Sequence, residues 1–237
     1  MTQAELKTEV FPNPDSVARA AAGVIAQDAR TAVAARGQFL FAVSGGRTPW
    51  QMLRDLAKEE VPWERVQIFQ VDERIAPTGD PDRNLTHLRA SLLSHAPLRS
   101  EQIHALPVED SDLAAAVRNY ASVLNEFAGV PPILDLVHLG MGADGHTASL
   151  IPGDPVLHVT DADVGLTEMY QQRRRMTLTF PLLNRARRVL WVVTGADKVA
   201  MLTRLQAGDR SIPSGIIRRD NALVLADRAA VGGNEFH

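Results

Sequence analysis

Cysteine is absent from the 237-residue sequence, which excludes disulfide bonds and thiolate metal sites. Long hydrophobic runs are absent as well, since no apolar stretch approaches the ~20 residues of a membrane-spanning helix. Residues 1–7 lack the apolar core of a signal peptide. We therefore expect a cytoplasmic protein without a membrane partner.

Blocks of like charge are also missing. Lysine and arginine number 25 against 28 aspartates and glutamates, which gives a formal net charge of −3. The one basic run of note, Arg173–Arg175, fits a solvated loop as well as an anion-binding role. Because the sequence lacks the basic footprint of a nucleic-acid-binding protein, we expect no nucleic-acid partner.

Several motifs of metal and serine enzymes do not occur. There is no H-E-x-x-H, no EF-hand loop and no histidine pair at helical spacing. The G-x-S-x-G elbow is absent too, so Ser44 is not expected to be a hydrolase nucleophile. We expect neither a metal nor another cofactor.

Apolar segments and helical patterns alternate along the chain. Strands are predicted at Phe39–Val43, Val66–Val71, Leu134–Leu139, Arg188–Val193 and Leu223–Leu225. Helices are predicted from Pro14 to a stop at Gly37, from Pro49 (capped by Thr48) to Lys58, from Asn84 to Leu93, from Ser111 to Gly129, and from a cap at Asp197 to Gln206. This order predicts one α/β domain over residues 1–237, with an open, mostly parallel sheet, helices on both faces and a small α/β extension. The loop-rich stretch 152–175 is expected to be an insertion or a lid.

Four predicted strands end directly at a polar or glycine-rich segment. The carboxyl ends of parallel strands share one edge of an open sheet, and ligands bind at that edge. Residues 44–49 follow the first strand, and two glycines there let backbone N–H groups face a ligand before a helix begins. We assign Ser44, Gly45, Gly46 and Thr48 to an anion site, most simply for phosphate; a tight turn without a ligand is the alternative.

Charged side chains follow two other strands. Asp72 and Arg74 end the second strand, and a guanidinium suits phosphate or carboxylate. Lys198 falls in the first turn of the last helix, where its ammonium would neutralise phosphate. Arg175 is a weaker candidate of the same kind. A surface salt bridge or a solvated side chain is the plainer alternative for each.

The densest pattern is the loop at residues 140–147, Gly-Met-Gly-Ala-Asp-Gly-His-Thr. His146 can take or give a proton near neutral pH, and Asp144 is placed to orient or polarise it. Gly142 belongs to the unusual backbone that three glycines give this loop. By contrast, His138 lies inside the strand and is expected to be a core residue with satisfied hydrogen bonds.

The same loop spells G-x-G-x-x-G, the fingerprint of dinucleotide sites. Such a site needs a full helix after the third glycine. Here residues 152–155, Pro-Gly-Asp-Pro, interrupt the chain within about two to three helical turns. We interpret the match as accidental.

Together these segments resemble the 6-phosphogluconolactonases, the hydrolases of the pentose phosphate pathway. The resemblance is carried, in the family's order and across most of the chain, by residues 44–49, 72–74, 139–150, 175–179 and 195–198. It implies the Rossmann-like fold of the sugar-phosphate isomerases and lactonases, and a small sugar phosphate as the binding partner. We expect a monomer or a small homo-oligomer.

The resemblance extends more weakly to the glucosamine-6-phosphate deaminases. They carry tyrosine where this chain has Arg74, and a catalytic glutamate where it has Ile151. Isoleucine cannot transfer protons, so these differences favour the lactonases. A non-catalytic sugar-phosphate sensor is a further alternative, but sensors of this fold usually carry a DNA-binding module. The chain also departs from the lactonases, which often have serine where Arg83 precedes Asn84 and an aromatic residue at position 151.

The lactonase resemblance implies hydrolysis of 6-phospho-D-glucono-1,5-lactone to 6-phospho-D-gluconate. His146 would be the general base for the attacking water. Asp144 would orient His146 or contact a sugar hydroxyl. The loop at residues 45–46 would hold the phosphate, with Arg74 and Lys198 as charge partners.

Overall fold

The computed structural model describes residues 6–233. Its ten strands are β1 (Lys7–Phe11), β2 (Phe39–Val43), β3 (Val66–Gln70), β4 (Asp72–Arg74), β5 (Ile103–His104), β6 (Leu136–Leu139), β7 (Val164–Leu166), β8 (Arg175–Leu178), β9 (Arg188–Val193) and β10 (Ala222–Asp227). Its six α-helices are α1 (Pro14–Arg36), α2 (Arg47–Leu56), α3 (Asn84–Leu88), α4 (Leu113–Ala128), α5 (Phe180–Arg185) and α6 (Val199–Ala207). None of these helices is both long and apolar enough to cross a membrane.

Seven strands form one sheet in the order β1-β10-β9-β6-β2-β3-β5. Every neighbouring pair is parallel, so all seven carboxyl ends lie at the same edge. Strand order reverses direction between β2 and β6, because the chain moves outward to β3 and β5 before it returns. Such a reversal opens a crevice at the carboxyl edge of the sheet.

Side chains of the central strands alternate between two hydrophobic cores. Phe39 and Phe41 of β2 pack with α1, α2 and α3 on one face. Leu40 and Ala42 pack with α4, α5 and α6 on the other. The continuous apolar sequence of β2 is therefore what a strand covered on both faces requires. The predicted parallel sheet with helices on both faces is confirmed.

A second, antiparallel sheet lies beyond the carboxyl edge, in the order β4-β8-β7. Asp72 pairs with Thr177 and Arg74 pairs with Arg175 across β4 and β8. The expected α/β extension is thus a small antiparallel β-sheet, in which β7 and β8 are joined without a helix. The stretch 152–175 is not one long loop, because it supplies β7 and a tight hairpin with a Tyr170–Arg173 bridge.

The starts of three helices differ from the predicted ones. Helix α2 begins at Arg47 after Gly46, whose φ of 135° suits glycine, so Thr48 is not the cap. Helix α4 begins after Asp112, whose carboxylate accepts from the N–H of Ala115 at 2.9 Å. Asp197 does not cap α6 but lies in a 3₁₀ turn, Ala196–Lys198, that precedes it.

Glu73 is a buried acid that organises the segment after β3. Its carboxylate accepts the backbone N–H groups of Asn84 at 2.7 Å and Leu85 at 2.8 Å, and therefore caps the start of α3 from outside the helix. The amide of Gln70 donates to the same carboxylate at 2.9 Å. Arg83 places Nε 3.1 Å from Oε2, and both side chains are almost fully buried.

Replacing Glu73 by glutamine is expected to lower the free energy of unfolding by about 3 kcal/mol, because it removes the buried counter-charge of Arg83 and leaves only the half-exposed Glu109 to pair with it. Urea unfolding followed by circular dichroism measures the change. Glu101→Gln is the matched control, since Glu101 forms an exposed ion pair with Arg99. Equal unfolding midpoints for the two variants would contradict the structural role of Glu73.

Candidate active site

One cleft of about 680 Å³ opens at the carboxyl edge of the large sheet. This volume is in the range of small-ligand sites. The predicted site residues that line the cleft are Ser44, Gly45, Gly46, Thr48, Asp72, Arg74, His146, Arg175 and Lys198. Two predicted residues, Asp144 and Gly142, do not line the cleft but contact the side chain or backbone of His146.

The loop after β2, residues 44–46, presents the amino end of α2 to the cleft. Gly46 precedes this ten-residue helix and no side chain caps it. Thr48 turns instead toward the loop after β9, where its hydroxyl lies 2.7 Å from that of Thr194. The first turn of α2 therefore offers uncapped N–H groups and a partial positive charge to an anion.

Asp72 connects the loop after β2 with the segment that follows the glycine loop at residues 140–147. Its carboxylate accepts from the hydroxyl of Ser149 at 2.7 Å and, at 3.4 Å, from the hydroxyl of Ser44. Asn84 donates to its backbone carbonyl at 3.0 Å. Asp72 is buried, so these contacts hold its carboxylate at the base of the cleft.

His138, in β6, contacts the backbone of the loop after β2. Its Nδ1 accepts the N–H of Ser44 at 3.2 Å, and burial lowers the pKa of its ring to about 3. The ring is therefore neutral, with its proton on Nε2. The prediction of satisfied hydrogen bonds is half correct, because Nε2 has no hydrogen-bond partner in the described part of the chain.

Cationic side chains outnumber carboxylates along the lining of the cleft. Arg74 and Arg175 are cross-strand neighbours, and neither forms an ion pair with a carboxylate among residues 6–233. Burial, and then the positive charge of Arg74, lowers the pKa of Arg175. Lys198 pairs with Asp197 at 2.8 Å, but the aspartate is exposed. This excess of positive charge suits an anionic ligand.

His146 and Asp144 form a hydrogen-bonded dyad at the cleft wall. Nδ1 of His146 lies 2.6 Å from Oδ1 of Asp144, and the backbone N–H of His146 donates to the same oxygen at 3.1 Å. Partial burial raises the pKa of Asp144, but the hydrogen bonds and charge of His146 outweigh it and leave that pKa below its ordinary value. Because the carboxylate accepts at Nδ1, a neutral ring keeps its lone pair on Nε2. The dyad can therefore accept a proton from a molecule in the cleft.

Comparisons with known proteins show the family to which the chain belongs. Residues 12–225 match the family model described as glucosamine-6-phosphate isomerases/6-phosphogluconolactonase. The chain is 37% identical over 236 residues to a 6-phosphogluconolactonase of Mycobacterium tuberculosis, an alignment that covers 94% of this chain and 96% of the relative. The chain belongs to this family.

Two further proteins similar to this chain are also named 6-phosphogluconolactonase. A 6-phosphogluconolactonase of Nostoc sp. is 33% identical over 231 residues, covering 94% of this chain and 96% of the relative. A solved structure of a 6-phosphogluconolactonase from Shewanella baltica gives a TM-score of 0.82 at 27% identity, covering 94% of this chain and 98% of that chain. The α/β fold predicted from the resemblance is confirmed.

At Gly142, in the glycine loop, the neighbouring side chains of His146 and Asp144 leave no space for a Cβ. A Cβ at this position would overlap Nδ1 of His146 and lie 2.5 Å from Oδ1 of Asp144. Only a glycine lets the two side chains of the dyad meet over this backbone. The backbone N–H of Gly142 also donates to the carbonyl of His146 at 2.9 Å, which closes the loop.

Several cleft residues carried no prediction from the sequence. Asn84 contacts Asp72, and its amide fills the space that a Cβ on Gly45 would need. Ala148 lines the cleft with a φ of 52°, an unusual conformation for a residue other than glycine. The sequence indicated Asn84 only as the residue that follows the departure at Arg83 and begins a predicted helix. That departure is structural, because Arg83 is buried against Glu73.

Proposed function

We propose that the protein hydrolyses 6-phospho-D-glucono-1,5-lactone to 6-phospho-D-gluconate, with a water activated by His146. The observation that carries the proposal is a proton-accepting dyad in the same cleft as an excess of cationic side chains. Family membership and relatives named 6-phosphogluconolactonase support the reaction. The role of the histidine rests on the site's geometry.

The dyad supplies the general base. Asp144 holds the proton on Nδ1 of His146 and leaves Nε2 to take a proton from water. The resulting hydroxide attacks C1 of the lactone, an activated ester that needs no covalent nucleophile. Positioned proton transfer of this kind contributes about 10²–10⁴-fold in rate. As the tetrahedral intermediate collapses, the protonated ring returns its proton to the ring oxygen that leaves C1.

The other end of the substrate is held by charge. The amino end of α2 with the glycines at positions 45–46 receives the phosphate, and Arg74 and Lys198 neutralise it. Remote binding of this kind positions the reacting carbonyl against the base. Backbone N–H groups of the glycine loops are the donors for the oxyanion that forms on the carbonyl oxygen.

The acids of the cleft argue against the deaminase branch of the family. Among the described residues that line it, the carboxylates are Asp72 and Asp197. Ile151, at the position where the deaminases carry glutamate, is buried and does not line the cleft. A lactone needs no additional acid for ring opening, because His146 already carries the proton.

Lys198→Ala is expected to raise KM for the lactone about 10- to 100-fold with a small change in kcat, because a charged hydrogen bond to the phosphate is lost in ground and transition states alike. Steady-state kinetics give both constants. Lys58→Ala, which removes an exposed ammonium paired with Asp55, is the control. An unchanged KM would place Lys198 outside the phosphate site.

The proposed reaction is tested by a coupled assay. Glucose-6-phosphate and its dehydrogenase generate the lactone, and formation of 6-phosphogluconate is followed with a second dehydrogenase. Because lactones also open without an enzyme, a reaction without this protein sets the baseline. Rates equal to the baseline would refute the proposed function, as would release of ammonia from glucosamine-6-phosphate at a greater rate.

A further inference from the structure

The hairpin between β7 and β8 carries a tyrosine to the His146–Asp144 dyad. Tyr170 and Arg173 face each other across a two-residue turn, with reciprocal backbone hydrogen bonds of 3.0 and 3.1 Å. Gln171 and Gln172 form the turn, and both have positive φ, 50° and 64°. This hairpin turn is normally built from asparagine and glycine, so two glutamines are held there against their own preference.

The turn is fixed from both sides. Arg173 donates to Asp80 at 2.9 Å and lies 3.4 Å from Asp82, which ties the hairpin to the loop after β4. On the other side, Arg175 donates to the side chain of Gln171 at 3.1 Å. Unfavourable backbone conformations persist where surrounding contacts over-determine them, and they cluster at functional sites.

Tyr170 itself contacts two parts of the cleft. Its hydroxyl donates to Oδ2 of Asp144 at 3.4 Å, while Oδ1 of the same carboxylate serves His146. Its ring stands edge-on to the His146 ring, with centroids 6.0 Å apart. The guanidinium of Arg175 lies over the ring of Tyr170, with its Cζ 4.9 Å from the ring centroid.

We propose that Tyr170 is a positioning residue that joins the His146–Asp144 dyad to Arg175 and so fixes the proton acceptor relative to the cationic side of the cleft. The hydroxyl orients the carboxylate and draws part of its charge away from His146. The ring supports the guanidinium of Arg175, which forms no ion pair with a carboxylate in the part of the chain that the structure describes. The importance of these Tyr170 contacts for catalysis rests on the proposed lactonase function.

The charged groups around this contact set the direction of its effect. Asp144 and Arg175 face Tyr170, and burial followed by the charge of Asp144 raises the pKa of its hydroxyl, which therefore stays a donor at neutral pH. Arg74, Asp72 and Asp82 act on Arg175 from further away. Removing the hydroxyl returns the full carboxylate charge to His146, which favours the protonated ring.

Tyr170→Phe removes the hydroxyl and keeps the ring. We expect kcat to fall about three- to tenfold with KM nearly unchanged, and the acid limb of kcat/KM to move upward by about 0.3–0.5 pH unit. Tyr170→Leu also removes the support for Arg175, so its KM should rise as well. Tyr120→Phe is the matched control, because this second tyrosine donates its hydroxyl to the carbonyl of His104 inside the protein core.

A titration of the His146 ring by NMR in the substrate-free protein tests the role of Tyr170 separately from the lactonase function. An upward shift of its midpoint in Tyr170→Phe, absent in Tyr120→Phe, supports the contact even if the wild type has no lactonase activity. A wild-type midpoint in Tyr170→Phe, with a wild-type pH profile, would overturn the proposal while leaving the lactonase function untouched.

Discussion

Replacing His146 by asparagine is expected to lower kcat about 10²–10⁴-fold, the share that a positioned general base contributes. Asparagine keeps a polar group at the cleft wall but cannot accept a proton from water. The proposed phosphate contacts lie elsewhere in the cleft, so the affinity for 6-phosphogluconate should stay nearly unchanged. Steady-state kinetics and calorimetric titration of the product measure the two quantities.

His158→Asn provides the control for this loss, because His158 is exposed in a 3₁₀ turn and lines no part of the cleft. It should behave as the wild type does. A near-normal kcat in His146→Asn would remove the histidine from the mechanism. A large loss of product affinity together with kcat would instead indicate that His146 binds the substrate.

Gly142→Ala is expected to lower kcat by about 10² or more, although it adds only one methyl group and removes no functional group. The new Cβ would overlap the imidazole of His146 and crowd the carboxylate of Asp144. The ring must move to relieve the overlap, and a misplacement of about 1 Å in an active site costs on the order of 10²-fold in rate. KM should change much less, because the cationic residues keep their places.

The matched substitution is Gly23→Ala in α1, where a Cβ would meet nothing within 4 Å. It should leave kcat unchanged and stabilise the helix slightly. Circular dichroism of Gly142→Ala would show whether the fold is retained. Wild-type activity in a folded Gly142→Ala protein would mean that the dyad geometry does not matter for turnover.

The central strands could be predicted because burial on both faces forces a continuous apolar sequence. Phe39–Val43 and Arg188–Val193 are strands at the predicted positions. Strand β1, with the sequence Lys-Thr-Glu-Val-Phe, lies at an edge and is only partly buried, so it lacks that pattern. Strands β4, β7 and β8 have three or four residues each, too few for a periodic pattern, and they form only through long-range pairing.

The site residues could be predicted where a local pattern marked them. The glycines beside His146 and at positions 45–46 limit the backbone, and each such segment follows a strand whose end must lie at the ligand edge. No sequence pattern indicated Tyr170, because its neighbours Gln171 and Gln172 are not residues that predict the turn they form. Its contact with Asp144 spans 26 positions and depends on the pairing of β7 with β8.

The proposed reaction requires one cleft that holds the phosphate end of the substrate while a proton acceptor faces its lactone end. The most direct test compares kcat/KM of the wild type for 6-phosphogluconolactone and for unphosphorylated glucono-1,5-lactone, each against a protein-free control. We predict a value at least about 100-fold higher for the phosphorylated lactone, because phosphate binding positions the carbonyl. Equal values for the two lactones would contradict this role of the cleft.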